Sequence, residues 1–261
     1  MHIIYHILLK EREENIPNGL YKATQIDFSY NSNRIEGSTI TYVNTASIYE
    51  KHQLLADSNT LIQLDDIKET ENHFALFNFM LDTIHEPLNE RLIKEYQQLL
   101  KRNTQFEQRY GSGRYKSIPN IVSDVSTAQP YEVPEKMGSL IKWYSEQPKV
   151  INTILRFHCE FERIHPFQDG NGRVGRIIMF RECLLGDIQP FVIKEETKGK
   201  YYDGIHEYQI NGNLNKLSEY IQTIQMAYLQ KAQPFVEFYK TQSHADSSTI
   251  SEPDREDDME R

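Results

Sequence analysis

Apolar and polar positions along this chain alternate mostly with a helical period. Between Asp65 and Ile84 the apolar positions Ile67, Phe74, Phe77, Leu81 and Ile84 recur at intervals of three, four or seven, which predicts a helix with one buried face. Asn89 is of the type that caps a helix start, and the apolar face that follows is Leu92, Ile93, Tyr96, Leu99 and Leu100. Pro134 stands where a first helical turn tolerates proline, ahead of Met137, Leu140, Ile141 and Tyr144. Residues 150–164 carry Ile151, Ile154, Leu155, His158 and Phe161 on one face. Helical spacing resumes over 172–185 and stops at Gly186, read as a C′ glycine. Further helices are expected from about Thr197 and from about Leu214 to Gln233.

Two segments depart from the period. Residues 111–133 mix β-branched residues with prolines, Gly, Ser and Asn, and read as a loop with a short hairpin. Structureless loops beyond about 12–15 residues are usually lids or binding loops, so this one invites a functional reading. From Thr241 the chain is polar and acidic, and it cannot bury enough surface to offset its ordering entropy, so 241–261 is expected to be a disordered tail.

The composition of the 261 residues, 38% hydrophobic and 26% charged, is ordinary for a soluble globular protein. The net charge is −9, and residues 241–261 hold seven acids against two arginines, so −5 of it lies in the tail and −4 in the body. An acidic body argues against a duplex nucleic acid partner, and no DNA-binding module is visible. Cys159 and Cys183 are expected to be free buried thiols. The apolar run in the first residues is too short to span a membrane, and no run of about 18 apolar residues occurs, which suggests a cytoplasmic protein without a membrane partner.

Candidate chemistry concentrates in the twelve residues from His165 to Arg176. Pro166 disfavours helical geometry in the residue before it, so a helix must end near His165. Asp169, Gly170, Asn171 and Gly172 all tolerate positive φ and predict a tight loop, whose successive N–H groups form an anion nest at the start of the next helix. Arg173 and Arg176, three apart in that helix's first turn, project from one face beside the nest. Cations at a helix N-terminus are unfavourable on dipole grounds, so two of them imply an anion between them, and their fork geometry suits phosphate. Asp169 could hold Mg²⁺ on those phosphates, and His165 is of the residue type that takes a proton near neutrality. Gly170–Gly175 also spells the dinucleotide fingerprint, but that motif needs a preceding strand and here follows a helical pattern. A zinc site from His158, Cys159, His165 and Cys183 fits no standard spacing.

The stretch His165–Arg176 matches the Fic motif, H-P-F-x-[DE]-G-N-G-R-x-x-R, at every defined position, and the chain resembles the Fic family over roughly residues 15–235. Asn72-His73, the loop 111–133 and the segment Glu195–Ile205 with Tyr201 and Tyr202 also look familial. The resemblance implies an all-α Fic helical bundle with a short β-hairpin flap. It divides the chain into N-terminal helices (1–110, part of the same core), a core with flap and active-site loop (111–235), and the tail. It implies that His165 deprotonates a Ser, Thr or Tyr hydroxyl of a protein target, that Asp169 coordinates Mg²⁺, that Gly170, Asn171 and Gly172 line the anion hole, and that Arg173 and Arg176 hold the β- and γ-phosphates of ATP. Tyr201 and Tyr202 would either pack near adenine or belong to the core. Asn211 lies near the place of the family's usual downstream asparagine without aligning with it. Arg173 argues against the Doc branch, which has lysine there and acts as a kinase.

Ser32-Asn33-Arg34-Ile35-Glu36-Gly37 resembles the family's inhibitory motif, [ST]-x-x-x-E-[GN], placed N-terminally as in class II members. By that resemblance Glu36 pairs with Arg176 and blocks the γ-phosphate, with Ser32 opening the motif. The expected function is AMP transfer from ATP onto protein hydroxyls, self-modification included, under autoinhibition. The alternatives are removal of AMP from a modified target, with Glu36 orienting water, and a non-enzymatic nucleotide-binding module. A target segment would dock on the flap (about 115–131) by backbone pairing, and relatives' dimers leave a homodimer open.

Overall fold

The computed structural model describes residues 1–55, 61–122 and 125–248. Among these, eleven α-helices follow in order: α1 (Ile3–Glu13), α2 (Leu20–Ile35), α3 (Tyr42–Lys51), α4 (Leu64–Asp82), α5 (Glu90–Lys101), α6 (Gln105–Tyr110), α7 (Val133–Ser145), α8 (Ile151–Ile164), α9 (Asn171–Leu185), α10 (Lys198–Asn211) and α11 (Asn215–Ser248). Single 3₁₀ turns precede α7 and α10. The fold is an all-helical one.

Helix α9 lies at its centre. Every residue from Asn171 to Leu184 is buried, as expected of a helix covered on all sides rather than along one stripe. Helices α8, α2, α4 and α5 all pack against it. One continuous apolar core runs from Ile4 in α1 to Ala232 in α11, so the N-terminal helices share the core of the rest. The ionic groups that α9 buries are paired: Arg181 donates to the carbonyl of Ile84 at 2.9 Å and pairs with Glu182, which accepts from the Tyr144 hydroxyl at 2.7 Å. A buried charge without such partners would be costly.

The start signals hold in detail. The Asn89 side chain accepts from Leu92 N at 2.9 Å, capping α5, and Pro134 sits in the first turn of α7. Two stop signals do not hold as expected. Gly186 has φ −80°, and the left-handed residue is Asp187 at φ 58°, followed by a bond from Ile188 N to Cys183 O of 2.8 Å. The helix therefore closes with Asp187 in the position usually taken by glycine. Gly186 is small for a different reason: a Cβ there would stand 3.1 Å from that of Lys149.

The last helix runs through Pro234 rather than ending at Gln233. Proline inside a helix removes one hydrogen bond, but Phe235, Val236 and Tyr239 beyond it pack on the core, which favours continuation. Residues 241–248, expected in the tail, still belong to this helix, and 249–261 lie outside the described residues.

The expected flap falls partly outside the described residues, since 123–124 are not among them. On either side, Ile121 pairs antiparallel with Ser126 and Val122 with Val125. Two residues per strand is too short a ladder to establish a flap. Both cysteines are buried and unbonded. Among the described residues no helix is long and apolar enough to cross a membrane.

Candidate active site

The loop between α8 and α9 is built by its own residues. His165 ends α8 at φ 51°, and Gly170 opens α9 at φ 87°, a conformation natural to glycine. Asn171 ties the turn: its Oδ1 accepts from Phe167 N at 2.8 Å and its Nδ2 donates to Phe167 O at 2.9 Å. Phe167 is fully buried and anchors the loop in the core. The Asp169 carboxylate accepts from Gly170 N at 2.6 Å. A Cβ at Gly172 would fall 2.3 Å from Glu36 Oε1, so any other residue there would push that carboxylate aside.

The two arginines are both buried but differently held. Arg176 donates from Nε to Ser32 Oγ at 3.0 Å, and from Nη2 to Ser32 O at 2.9 Å and Glu36 Oε1 at 2.7 Å. Its Nη1 is buried and makes no hydrogen bond. Arg173 donates from Nη1 to Glu69 in α4 and to Asn33 Oδ1 at 3.3 Å. Its Nη2 lies 3.5 Å from both Asp169 oxygens, and its Nε is buried without a partner. Lys101, at the end of α5 and 1% exposed at the side chain, pairs with both Glu69 and Asp169. Burial pushes the Asp169 carboxyl up, but Arg173 and Lys101 outweigh it and bring it down to about 2, so it is ionised at neutral pH.

Behind His165, Glu162 Oε2 stands 3.7 Å from its Nδ1. Burial works against that carboxylate's charge, and the neighbouring His165 and His158 pull its pKa down overall. His158, fully buried, shares a 2.6 Å hydrogen bond with the Tyr201 hydroxyl, and burial lowers it to about 4. His73 lies under the arginines, 5.4 Å from the Phe28 ring centroid, with neither ring nitrogen bonded. Burial and the charges of Arg173 and Arg176 lower it to about 3. Its partner in the sequence pair, Asn72, donates to Leu100 O at 3.0 Å and Arg102 O at 2.7 Å, closing the end of α5.

Residues 87–183 match the family model described as Fic/DOC family. The chain therefore carries a Fic/DOC region. The chain is 25% identical over 183 residues to a protein adenylyltransferase Fic of Nematostella vectensis, an alignment covering 68% of this chain and 42% of that protein. It is 32% identical over 133 residues to a probable protein adenylyltransferase of Aquifex aeolicus, covering 40% of this chain and 41% of that protein. The chain thus spans well under half the length of these curated relatives. Among solved structures it resembles a Fic-domain-containing signaling protein from Bacteroides thetaiotaomicron, with a TM-score of 0.71 and 22% identity over 91% of this chain and 97% of that one. It also resembles a Fic-1 fragment from Caenorhabditis elegans, with a TM-score of 0.71 and 19% identity over 90% of this chain and 72% of that one. These likenesses give the chain a Fic fold.

The structure brings together Ser32, Glu36, Asp169, Gly170, Asn171, Gly172, Arg173 and Arg176. Tyr201 is buried against His158, whereas Tyr202 is 45% exposed. Asn211 ends α10 and donates to Glu207 at 2.9 Å, away from these contacts. Glu69, Lys101, Asn33 and Glu162 join the Fic loop without having been singled out from sequence. Glu69 and Lys101 did leave a trace, as charges falling on otherwise apolar helix faces, at four before His73 and eight after Ile93.

Proposed function

We propose that the protein is a self-inhibited adenylyltransferase that moves AMP from ATP to a hydroxyl side chain of a target protein. The observation that carries this reading is the seating of Arg176 on Glu36 and Ser32, a charge-assisted clamp on a buried guanidinium beside an anion nest. Beside an anion nest such a clamp suits an arginine that would otherwise take an anion, and the names of the adenylyltransferase relatives are in keeping with that assignment.

His165 takes the proton of the target hydroxyl. The freed oxygen forms a bond to the α-phosphorus, and the bond from that phosphorus to the bridging oxygen breaks, releasing diphosphate. The N–H groups of Asn171 and Gly172 would face the charge that develops, while Gly170 lines the loop with its own N–H held by Asp169, and the arginines hold the outer phosphates. One ionised, 41% exposed carboxylate suits Mg²⁺, which keeps most of its shell as water and phosphate oxygen. Asp169 would hold the ion, which neutralises phosphate charge when bound. Glu162, 3.7 Å from Nδ1 of His165, would favour the imidazolium that forms when His165 takes the proton. Tyr202 has surface left to face an adenine, and Tyr201 acts behind it through His158. The segment 115–131 would align the target's backbone.

The test is label transfer from ATP. With α-labelled ATP, Glu36→Gly should label protein far more strongly than the wild type, and the added substitution His165→Ala should abolish it. Label arriving from γ-labelled ATP instead would make the chemistry a kinase's and end this reading.

A further inference from the structure

A guanidinium can grip a phosphate in two ways: by its end, through Nη1 and Nη2, or by its side, through Nε and Nη2. The two arginines of the site have had different edges taken. Glu36 and Ser32 occupy Nε and Nη2 of Arg176, so its side-on edge is closed. Glu69 and Asn33 occupy Nη1 of Arg173, and on its side-on edge Nε is buried and unbonded while Nη2 has only two long contacts of 3.5 Å with Asp169. Four charges form a closed ring of alternating sign: Asp169, Lys101, Glu69 and Arg173, each beside two opposites. Lys101 holds Oε1 of Glu69 while Arg173 holds Oε2, so the carboxylate is engaged at both oxygens.

We infer that Glu69, braced by Lys101, is a positioning residue that holds Arg173 by one end so that its side-on edge is presented to a phosphate of the bound nucleotide beyond the α-phosphate. This rests on the nucleotide reading proposed above and adds a division of labour to it. Glu36 is a brake on one arginine, and Glu69, although also a glutamate on an active-site arginine, is a mount for the other. Removing the brake should tighten nucleotide binding, whereas removing the mount should weaken it. A buried Arg173 freed of Glu69 would have several orientations open to it and would lose its preset geometry.

The experiment measures ATP and AMP affinities by titration calorimetry in the Glu36→Gly protein and in the same protein carrying Glu69→Ala. AMP lacks the outer phosphates and serves as the internal control. The expected result is a loss of ATP affinity on the order of tenfold, the size of one charge-assisted contact, with AMP affinity changed less than twofold. Glu69→Gln, which keeps an acceptor oxygen and the side chain's shape, should lose less, and it carries the test if the alanine variant melts early. Tighter ATP binding would make Glu69 a second brake and overturn the inference. Equal losses for ATP and AMP, or no change in either, would overturn it too. If the Glu36→Gly parent itself binds no ATP, the nucleotide reading falls and takes this inference with it. A parent that binds ATP while Glu69→Ala leaves the ATP-to-AMP ratio unchanged refutes the positioning role alone.

Discussion

The surroundings of Arg173 and Arg176 differ although the two residues are one turn apart on the same buried helix. Arg176 faces the end of α2, where a hydroxyl, a carbonyl and a carboxylate take one edge of its fork. Arg173 faces α4 and α5, where a glutamate is itself pinned by a buried lysine. The first surrounding takes Nε and Nη2 and leaves Nη1 over, whereas the second takes Nη1, shares Nη2 with Asp169 and leaves Nε over. Counting salt bridges gives Arg173 two and Arg176 one and says nothing of geometry, so the informative quantity is which hydrogen-bonding edge each partner consumes.

The largest effect that bears on this comparison is that of pH. Both arginines sit among imidazoles kept neutral, His73 at about 3 and His158 at about 4, mainly by burial. Their folded pKa values lie below the ordinary 6.5, so the unfolded chain binds more protons in acid. The stability they lend is complete above about pH 6.5 and is lost as pH falls toward 4, with a slope of up to about 1.4 kcal/mol per pH unit for each histidine. Urea midpoints measured from pH 7 to 4.5 should fall accordingly, and His73→Phe should flatten the slope by about one proton. An unchanged slope would mean that His73 is charged beside two arginines, and the contrast drawn between their partners would need revising.

Next in size is the substitution of neighbouring residues on α2. Ser32→Ala removes one of the three bonds on Arg176 and should tighten ATP binding roughly fivefold, as expected for a net hydrogen bond of about 1 kcal/mol. Asn33→Ala removes the weaker 3.3 Å contact on Arg173 and should change ATP affinity less than about twofold, toward weaker binding. Opposite signs from adjacent residues would sharpen the comparison, and equal signs would break it.

Much of the site was legible because it is local. From His165 to Arg176, one loop and one helical turn hold a histidine, an aspartate, the anion nest and both arginines, and sequence spacing alone places them together. Glu36 was legible through a second short motif. Glu69 and Lys101 were not, because their meeting with Arg173 and Asp169 depends on how α4 and α5 pack on α9, 104 residues separating Glu69 from Arg173. What sequence does show is a charge interrupting an apolar stripe, and that pattern usually means a solvated edge. In the fold, Leu64–Asp82 and Glu90–Lys101 were readable from their periods, and the cap at Asn89 from its type. The continuation past Pro234 was not, because what favours it is the packing of Phe235, Val236 and Tyr239 on distant helices. Asp187 in the left-handed turn was missed because glycine at 186 offered the more familiar stop.

The carbonyl of Ser32 belongs to the last turn of α2, where an α-helix leaves its final C=O groups without intrahelical donors. Glu36 N bonds to Asn33 and Arg34 rather than to it, so Arg176 supplies the donor that the helix end lacks. The guanidinium is in effect the terminal cap of α2, lying at the negative end of its dipole. A phosphate that claimed Nη2 of Arg176 would uncap that turn. Ordering of the α2 terminus and occupancy of the site are then linked quantities. Whatever stiffens residues 32–37 weakens anion binding by some factor, and a bound anion loosens those residues by the same factor.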